Sequence, residues 1–387
     1  MAHLVKKEQC NGCHACFNAC PVQAISMLSD EEGFLYPVIN ENICIECGKC
    51  DRSCPIQNPP AHNPLADAYA CYAKNVEEHQ TSCSGGAFAV LARQVLRDRG
   101  IVAGAAFGPA QEVLHIVIDS ERDLWKLKGT KYVQSTIGNC FSHIQECLNQ
   151  GRTVLFSGTP CQVAGLKSFL REEPENLLTI DLICHGVPSP GIWQRYLNEL
   201  ANGEPIVSAA FRNKTKGTTR VTLDYRTAAG TLIQENYSDS PYIKGFIQNL
   251  FVRPSCFCCP FKGTKRCSDF TIGDFWGAKE YHPEMVNEDG VSALIVHSAK
   301  AQKLMNRCKS DFVIKASTAE KATLWNESLI QPAVPSPNRE KFFDDVESQC
   351  VKDAILNNWI APDKPPEPSK SRKILSGMKG LIRKWLA

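Results

Sequence analysis

The chain writes the same cysteine spacing twice near its start: CNGCHACFNACP from Cys10 to Pro21 and CIECGKCDRSCP from Cys44 to Pro55. Each reads C-x2-C-x2-C-x3-C-P. Close spacing lets three thiolates wrap one inorganic group, and the proline after the last cysteine stops local helix and sets the chain direction. Cysteine is abundant throughout, at 20 of 387 residues. The start MAHLVKKEQC has no apolar signal-peptide region, so disulfides are not expected and the cysteines read as metal ligands or catalytic groups. No apolar run approaches the roughly 20 residues that span a bilayer. TVLFSGTPCQVAGL is too short and is broken by Gly and Pro. The formal net charge of +2 argues against a nucleic-acid footprint. A cytoplasmic protein is the expectation.

The repeated spacing is the signature of bacterial two-cluster ferredoxins, in which the fourth cysteine of each motif ligates the other cluster. The assignment follows: Cys10, Cys13, Cys16 and Cys54 for one 4Fe-4S cluster, and Cys44, Cys47, Cys50 and Cys20 for the other. Paired C-x2-C also suits zinc, but the x2-x2-x3-Pro pattern occurring twice is the more specific match.

The length fits two or three domains. Residues 1–57 are cysteine-dense. NPPAHNPLAD (58–67) is a proline-marked linker. Strand and helix patterns then alternate: DAYACYAK, IVAGAAF, VLHIVID, TVLFS, LLTIDLIC and VSALIVHS as strands, with GGAFAVLARQVLRDRG, CQVAGLKSFL, PGIWQRYLNEL and AKAQKLMNRC as helices. VSAAFR, RVTLDYRT and TLIQE suggest an antiparallel patch. The fold class expected is α+β / α/β: an N-terminal two-cluster ferredoxin domain, 1–57, followed by a two-lobed mixed α/β flavin-binding body. Its lobes are expected at 67–150 and 151–360, with a tail at 361–387.

Five stretches of the body stand out. TSCSGGAF places a hydroxyl and two glycines at a helix start, where bare N–H groups suit a phosphate; a plain turn and cap would look the same. KGTKYVQS adds two lysines ahead of an expected short strand, or is a solvated loop. FSGTPCQ sits at a strand-to-helix junction, the usual ligand position in an α/β sheet. DLICHGVPSP is another strand end. DFTIGDFWG is glycine-rich and aromatic, as where backbone approaches something closely. From the residues alone, these suggest a phosphate-bearing cofactor and perhaps metal, and name neither.

Taken together, SGGAF, KGTKYVQS, SGTPCQVAGL, DLICHGVPSP, RPSC-x2-C and SDFTIGDFWG resemble the coenzyme F420 hydrogenase/dehydrogenase beta-subunit family, which includes the 7-hydroxymethyl chlorophyll a reductases. The resemblance spans roughly residues 67–300. It implies an FAD site and a third 4Fe-4S cluster, ligated by Cys161, Cys184, Cys256 and Cys259. It also implies that Ser84, Gly85, Gly86, Lys128, Lys131, Tyr132, Gln134, Ser135, Gly158 and Thr159 approach the FAD. The bland alternatives are packing for Cys161 and Cys184 and a zinc site for Cys256 and Cys259, with Cys267 as a further ligand. Cys258 and Cys267 read as extras. Cys83 stands where the family more usually has serine. Cys71, Cys140, Cys147, Cys308 and Cys350 read as packing. His185 is a weak candidate proton donor or a structural histidine, and Asp274 is expected to hold its loop.

The tail segment SRKILSGMKGLIRKWLA carries Ile374, Leu375, Met378, Leu381, Ile382, Trp385 and Leu386 on one helical face, with basic residues mostly elsewhere. It reads as a basic amphipathic helix, for the inner membrane face or for a protein surface. The function expected is an iron–sulfur flavoprotein oxidoreductase. It would exchange electrons with a ferredoxin-like or other redox partner and with a small-molecule acceptor, a deazaflavin or another compound. An oligomer is compatible with the sequence. The rival is an electron-transfer subunit of a hydrogenase- or dehydrogenase-like complex with no substrate of its own; a zinc-stabilised scaffold is a third reading.

Overall fold

The computed structural model describes residues 4–63, 67–214 and 221–361. The amphipathic tail therefore lies outside the described residues. Among the described residues there are thirteen strands: β1 (Ile25–Ser29), β2 (Leu35–Ile39), β3 (Ala68–Ala73), β4 (Ile101–Phe107), β5 (Val113–Ile118), β6 (Val154–Gly158), β7 (Leu177–Leu182), β8 (Ile206–Asn213), β9 (Thr222–Thr227), β10 (Leu232–Asn236), β11 (Phe270–Asp274), β12 (Ser292–Val296) and β13 (Phe312–Ser317).

The N-terminal unit is a β1–β2 antiparallel hairpin with two short helices, Ala15–Ala19 and Lys49–Arg52. Each helix begins inside a cysteine motif. The body is an eight-stranded mixed sheet of order β13-β3-β12-β11-β7-β6-β4-β5. Strands β4, β6, β7 and β11 run parallel, which demands crossover connections. Helices Cys140–Asn149 and Pro160–Leu170 supply two of them. The strand residues alternate between faces as the pleat requires. Val102, Leu155, Leu178 and Ile180 pack on one side with helices Ala87–Arg97 and Ala299–Cys308. Ile101, Val154, Phe156 and Leu177 pack on the other with helices Cys140–Asn149 and Pro160–Leu170. Helices on both faces bury such a sheet.

The sheet takes β3, β4 and β5 from the expected 67–150 lobe and the other five strands from beyond it, so residue 150 marks no break in the sheet. The physical reason is the parallel pairing of β4 with β6 across that point. The expected antiparallel patch is present as the three-stranded sheet β10-β9-β8. It shares an aromatic core with helices Pro190–Leu200, Pro241–Ile247, Arg339–Ser348 and Val351–Asn358, centred on Trp193, Tyr225, Tyr242, Phe251 and Phe342.

Residues 128–135, expected to lead into a strand, form none; Thr136 only bridges to Leu114. The backbone N–H of Gln134 donates instead to the Pro188 carbonyl, outside the sheet. The linker is also anchored: Asn63 bridges to Arg266 and donates its side-chain amide to the Ser268 carbonyl. Among the described residues no helix is long and apolar enough to cross a membrane.

Candidate iron–sulfur and cofactor sites

Two pockets open inside the N-terminal unit. One is lined by Cys10, Cys13, Cys16 and Cys54, with Cys50 also on its wall. The other is lined by Cys20, Cys44, Cys47 and Cys50. Each pocket therefore gathers three cysteines of one motif and the last cysteine of the other. The remaining walls are mostly apolar, including Met27 and Ile56 in the first and Val22, Ile25, Ile39 and Ile45 in the second. Gly12 and Gly48 take positive φ, 64° each, where the loops curl round the pockets.

The thiols are held where the charged form is costly. Burial pushes Cys13 well above the ordinary thiol range, with Cys16, Cys10 and Cys54 adding to the rise. Burial also pushes Cys50 up to about 11. Such sites favour thiolates only with cationic iron in place. Among the described residues, no three His, Cys, Asp or Glu side chains converge as a single metal ion requires. A tetrahedral zinc needs four ligands about 2.0–2.3 Å from one point, whereas a four-iron cluster takes thiolates spread round a pocket wall. The N-terminal cysteines fit the cluster. The pocket of Cys20, Cys44, Cys47 and Cys50 is the outer one, because Cys47 is exposed. Replacing Cys47 with serine is expected to release the iron of this site and to leave part of the inner site's, measured as iron per chain.

Four body cysteines arrive from separate elements. Cys161 lies in the first turn of helix Pro160–Leu170, whose N-terminus is closed by Thr159 and Gln162 in a capping box. Cys184 follows β7, and Cys256 and Cys259 belong to the 3-10 turn Pro254–Cys258 and its end. These thiols sit close enough to act on one another electrostatically. Burial pushes Cys161 far up, and Cys259, Cys184 and Cys256 contribute. Burial likewise pushes Cys256 up to about 12 and Cys184 up to about 11, and Lys262 opposes the latter. Lys262 is fixed beneath them, donating to the Cys184 and Ser328 carbonyls.

Cys258 is exposed and points its thiol at the Glu8 carbonyl, 3.7 Å away. Cys267 is buried in the core behind helix Pro160–Leu170. Cys71, Cys140, Cys147 and Cys308 are buried in apolar surroundings, and Cys350 precedes helix Val351–Asn358.

The residues implied for the FAD gather round the carboxyl ends of β3, β4 and β6, but their side chains divide into two groups. In the first group the partners are protein. Gly85 leaves no room for a side chain, because a Cβ would stand 2.3 Å from the Cys71 carbonyl oxygen. Gln134 donates to the Asn11 carbonyl at 2.9 Å and accepts from Arg253 at 2.9 Å. The Ser135 hydroxyl accepts from Gln162, and a Cβ at Gly158 would crowd Phe156 and Gln162. Thr159 serves the capping box.

The second group surrounds Cys83. Ser84 takes φ 51° and donates to the Val291 carbonyl, and Gly86 takes φ 78° at the start of helix Ala87–Arg97. Lys128 pairs with Glu78 and donates to Thr81. Among the described residues Lys131 donates to the carbonyls of Lys128 and Gly129. Burial holds its ammonium down to about 8, with Cys83 opposing the shift. Tyr132 packs among Phe211, Tyr237 and Phe246. Lys131 is thus a cation with carbonyl partners, a setting that accepts an anion. Lys131 suits a phosphate, whereas the side chains of Ser84, Lys128, Gln134 and Ser135 are occupied by protein.

Arg212 forms a two-armed pair with Asp274 at 2.9 and 3.3 Å, which ties the end of β11 to β8. His185 meets the Asn249 amide oxygen at 2.7 Å through Nε2 and faces the Ser328 hydroxyl through Nδ1. Both ring nitrogens therefore have protein partners. Sequence reasoning missed Arg253, although the residue opens RPSCFCC. It also missed Gly165, where a Cβ would stand 2.8 Å from the Cys13 Cβ and 2.9 Å from its sulfur.

Residues 9–58 match the model of a 4Fe-4S dicluster domain. Residues 151–322 match the model for the C terminus of the coenzyme F420 hydrogenase/dehydrogenase beta subunit. Among curated proteins, an F(420)H(2) dehydrogenase subunit from Methanosarcina mazei is 21% identical over 199 residues, covering 48% of this chain and 55% of the relative. The chain thus spans about half the length of that relative. Among solved structures, a chain of the xenon-derivatised F420-reducing NiFe hydrogenase complex from Methanosarcina barkeri aligns with a TM-score of 0.46 at 18% identity, with 78% of this chain and 92% of that chain covered. Residues 151–322 are thus similar to the C terminus of the coenzyme F420 hydrogenase/dehydrogenase beta subunit, and residues 9–58 are similar to a 4Fe-4S dicluster domain.

Proposed function

We propose that the chain is an iron–sulfur flavoprotein oxidoreductase that moves electrons between an external one-electron carrier and an organic two-electron compound. A coenzyme F420-type deazaflavin is the first candidate for that compound. The observation that carries the reading is a row of three cysteine groups, the first two meeting at Cys50 and the third approached through Gly165. Cys50 borders both N-terminal pockets. Cys13 touches Gly165, one helical turn from Cys161. When loaded, iron–sulfur groups pass single electrons, and a bound flavin pairs them for two-electron chemistry.

The residues divide the work. Cys161, Cys184, Cys256 and Cys259 would hold a third cluster. Lys131, with Lys128 and the Ser84–Gly86 turn, would hold the flavin's phosphates. Exposed Cys47, with Ile45 and Ile43 exposed beside it, offers an apolar rim where the carrier docks. Ordering these groups in one rigid body spares the reaction a docking step between carrier and flavin.

The name of the curated relative, which is a dehydrogenase component, favours a second reading: electron transfer within a complex, with no substrate of its own. Iron, zinc and flavin per chain on anaerobically purified protein test the first reading. About twelve irons and one FAD support it, since each 4Fe-4S cluster contributes about four. About eight irons without flavin remove the third cluster and the flavin and leave the second reading. Reduction of a deazaflavin by the isolated chain under dithionite separates the two readings directly.

Lys131 gives the reading a pH dependence. Its native pKa lies below the ordinary lysine value, so without an anion folding releases a proton between about 8 and that value, and stability rises with pH there. A phosphate favours the charged form, so flavin affinity is greatest below pH 8 and falls as pH rises through it. Fluorescence titration with FAD at pH 7 and pH 9 checks the sign. Replacing Lys131 with methionine is expected to weaken binding at pH 7 about tenfold, or roughly 1.4 kcal/mol, and to flatten the profile.

A further inference from the structure

Arg253 is 1% exposed, among the largest fully buried side chains of the protein. Its position is fixed from four directions. Nε donates to the Cys10 carbonyl at 2.8 Å, Nη1 to the Gln134 side-chain oxygen at 2.9 Å, and Nη2 to the Leu35 carbonyl at 3.0 Å. The Tyr36 ring lies beneath the guanidinium, 4.2 Å from its centre. Gly12, in the first cysteine motif, leaves the space the guanidinium fills: a Cβ there would stand 2.8 Å from Nη1. Arginine suits the position because its planar fork serves several acceptors at once while stacking on a ring.

These partners are neutral. Among the described residues no carboxylate forms an ion pair with Arg253. A buried charge without a counter-charge costs several kcal/mol, so an anion is called for at this place. The anionic group nearest to hand is the inner cluster site, since Nη2 lies 3.9 Å from the Cys10 sulfur, and a cluster held by four thiolates is negative. We infer that Arg253 is the buried counter-charge of the inner ferredoxin cluster and raises its reduction potential, so that electrons arriving at the outer cluster run inward.

The chemistry is a one-electron reduction in which no bond forms or breaks. The cluster gains one negative charge, and a fixed cation beside a ligand sulfur stabilises that form over the oxidised one. Net charge and hydrogen bonding at the sulfurs are recognised determinants of cluster potential. Salt screens a buried pair of this kind far less than a surface one. Arg253 is also chemically continuous with the body: Cys256 lies three residues on, and its N–H donates to the Arg253 carbonyl at 2.9 Å. The inference rests on the dicluster domain and needs neither the third cluster nor the flavin.

The test is an EPR-monitored redox titration of the full chain, with iron counted on the same samples. At the wild-type midpoint of the inner cluster, Arg253→Gln is expected to lower the reduced-to-oxidised ratio about tenfold, which for a one-electron couple is a 59 mV fall. Arg253→Lys keeps the charge and is expected to stay within about threefold of wild type. The outer cluster serves as the internal control and should not move. If Arg253→Gln sheds inner-cluster iron, Gln134→Glu places a carboxylate on Nη1 instead, cancels the charge with the arginine in place, and should lower the inner potential in the same sense. An unmoved inner midpoint in an iron-replete Arg253→Gln chain overturns the inference, as does an unmoved midpoint in Gln134→Glu. A wild-type chain with about eight irons and no flavin removes the larger functional reading and leaves this one standing.

Discussion

Replacing Cys161 with alanine is expected to take iron from about twelve to about eight per chain while both N-terminal clusters keep their EPR signals, since one quartet of thiolates accounts for about four irons. The substitution removes a thiol close to Cys184, Cys256 and Cys259. It removes the thiol that meets the Thr159 hydroxyl at 3.1 Å but keeps the Thr159–Gln162 bonds that close the helix start, so the fold should survive. Reduced carrier should then fail to reduce bound flavin, although dithionite still does. Iron unchanged at about twelve would mean that Cys161 is no ligand. Iron at about eight in both wild type and variant would dispose of the third cluster.

Gly165→Val should strike the inner cluster from the opposite side. A Cβ at this position would already stand 2.8 Å from the Cys13 Cβ and 2.9 Å from its sulfur, with Phe141 at 3.5 Å. Overpacking of this kind costs about 1–3 kcal/mol, and the softer side to yield is the loop carrying Cys13. The expected result is loss of about four irons, with circular dichroism of the body nearly unchanged. Gly165→Ala should act in the same direction and less strongly. A fully loaded Gly165→Val chain would show that the N-terminal unit can shift away from the helix without losing its inner cluster.

The N-terminal site was legible because all its information is local: eight cysteines within two short motifs contain the crossover that the two pockets display. The body quartet was not legible by spacing. Its cysteines follow β6 and β7 and lie at a distant turn, and only the sheet brings those ends together; resemblance to a family found them where periodicity could not. The continuity of the large sheet across residue 150 was hidden for the same reason. β3 pairs with β12, so that Cys71 lies opposite Ser292, and no local pattern announces such a partner. The family resemblance implies that Gln134 and Ser135 face a cofactor, because it carries residues over by motif and says nothing of their partners. Their actual partners, Asn11, Arg253 and Gln162, lie in other units. Arg253 was in plain view, yet its role depends on Cys10, 243 residues away.

The N-terminal unit holds the rest of the protein through Arg253 and Gln134 and also at its two ends. At one end Cys13 lies against Gly165 on the sheet side. At the other, the β1–β2 turn meets the aromatic unit: Gly33 and Gly191 touch backbone to backbone, the Gly191 N–H donates to the Gly33 carbonyl at 3.2 Å, and Glu32 pairs with Arg339. The unit therefore behaves as a clasp closed by its own metal. Loss of iron from this unit should loosen the seam between the large sheet and the aromatic helices. Hydrogen exchange along Pro190–Leu200 and Arg339–Ser348 then becomes a gauge of cluster occupancy in the N-terminal unit, read away from that unit's own cysteines.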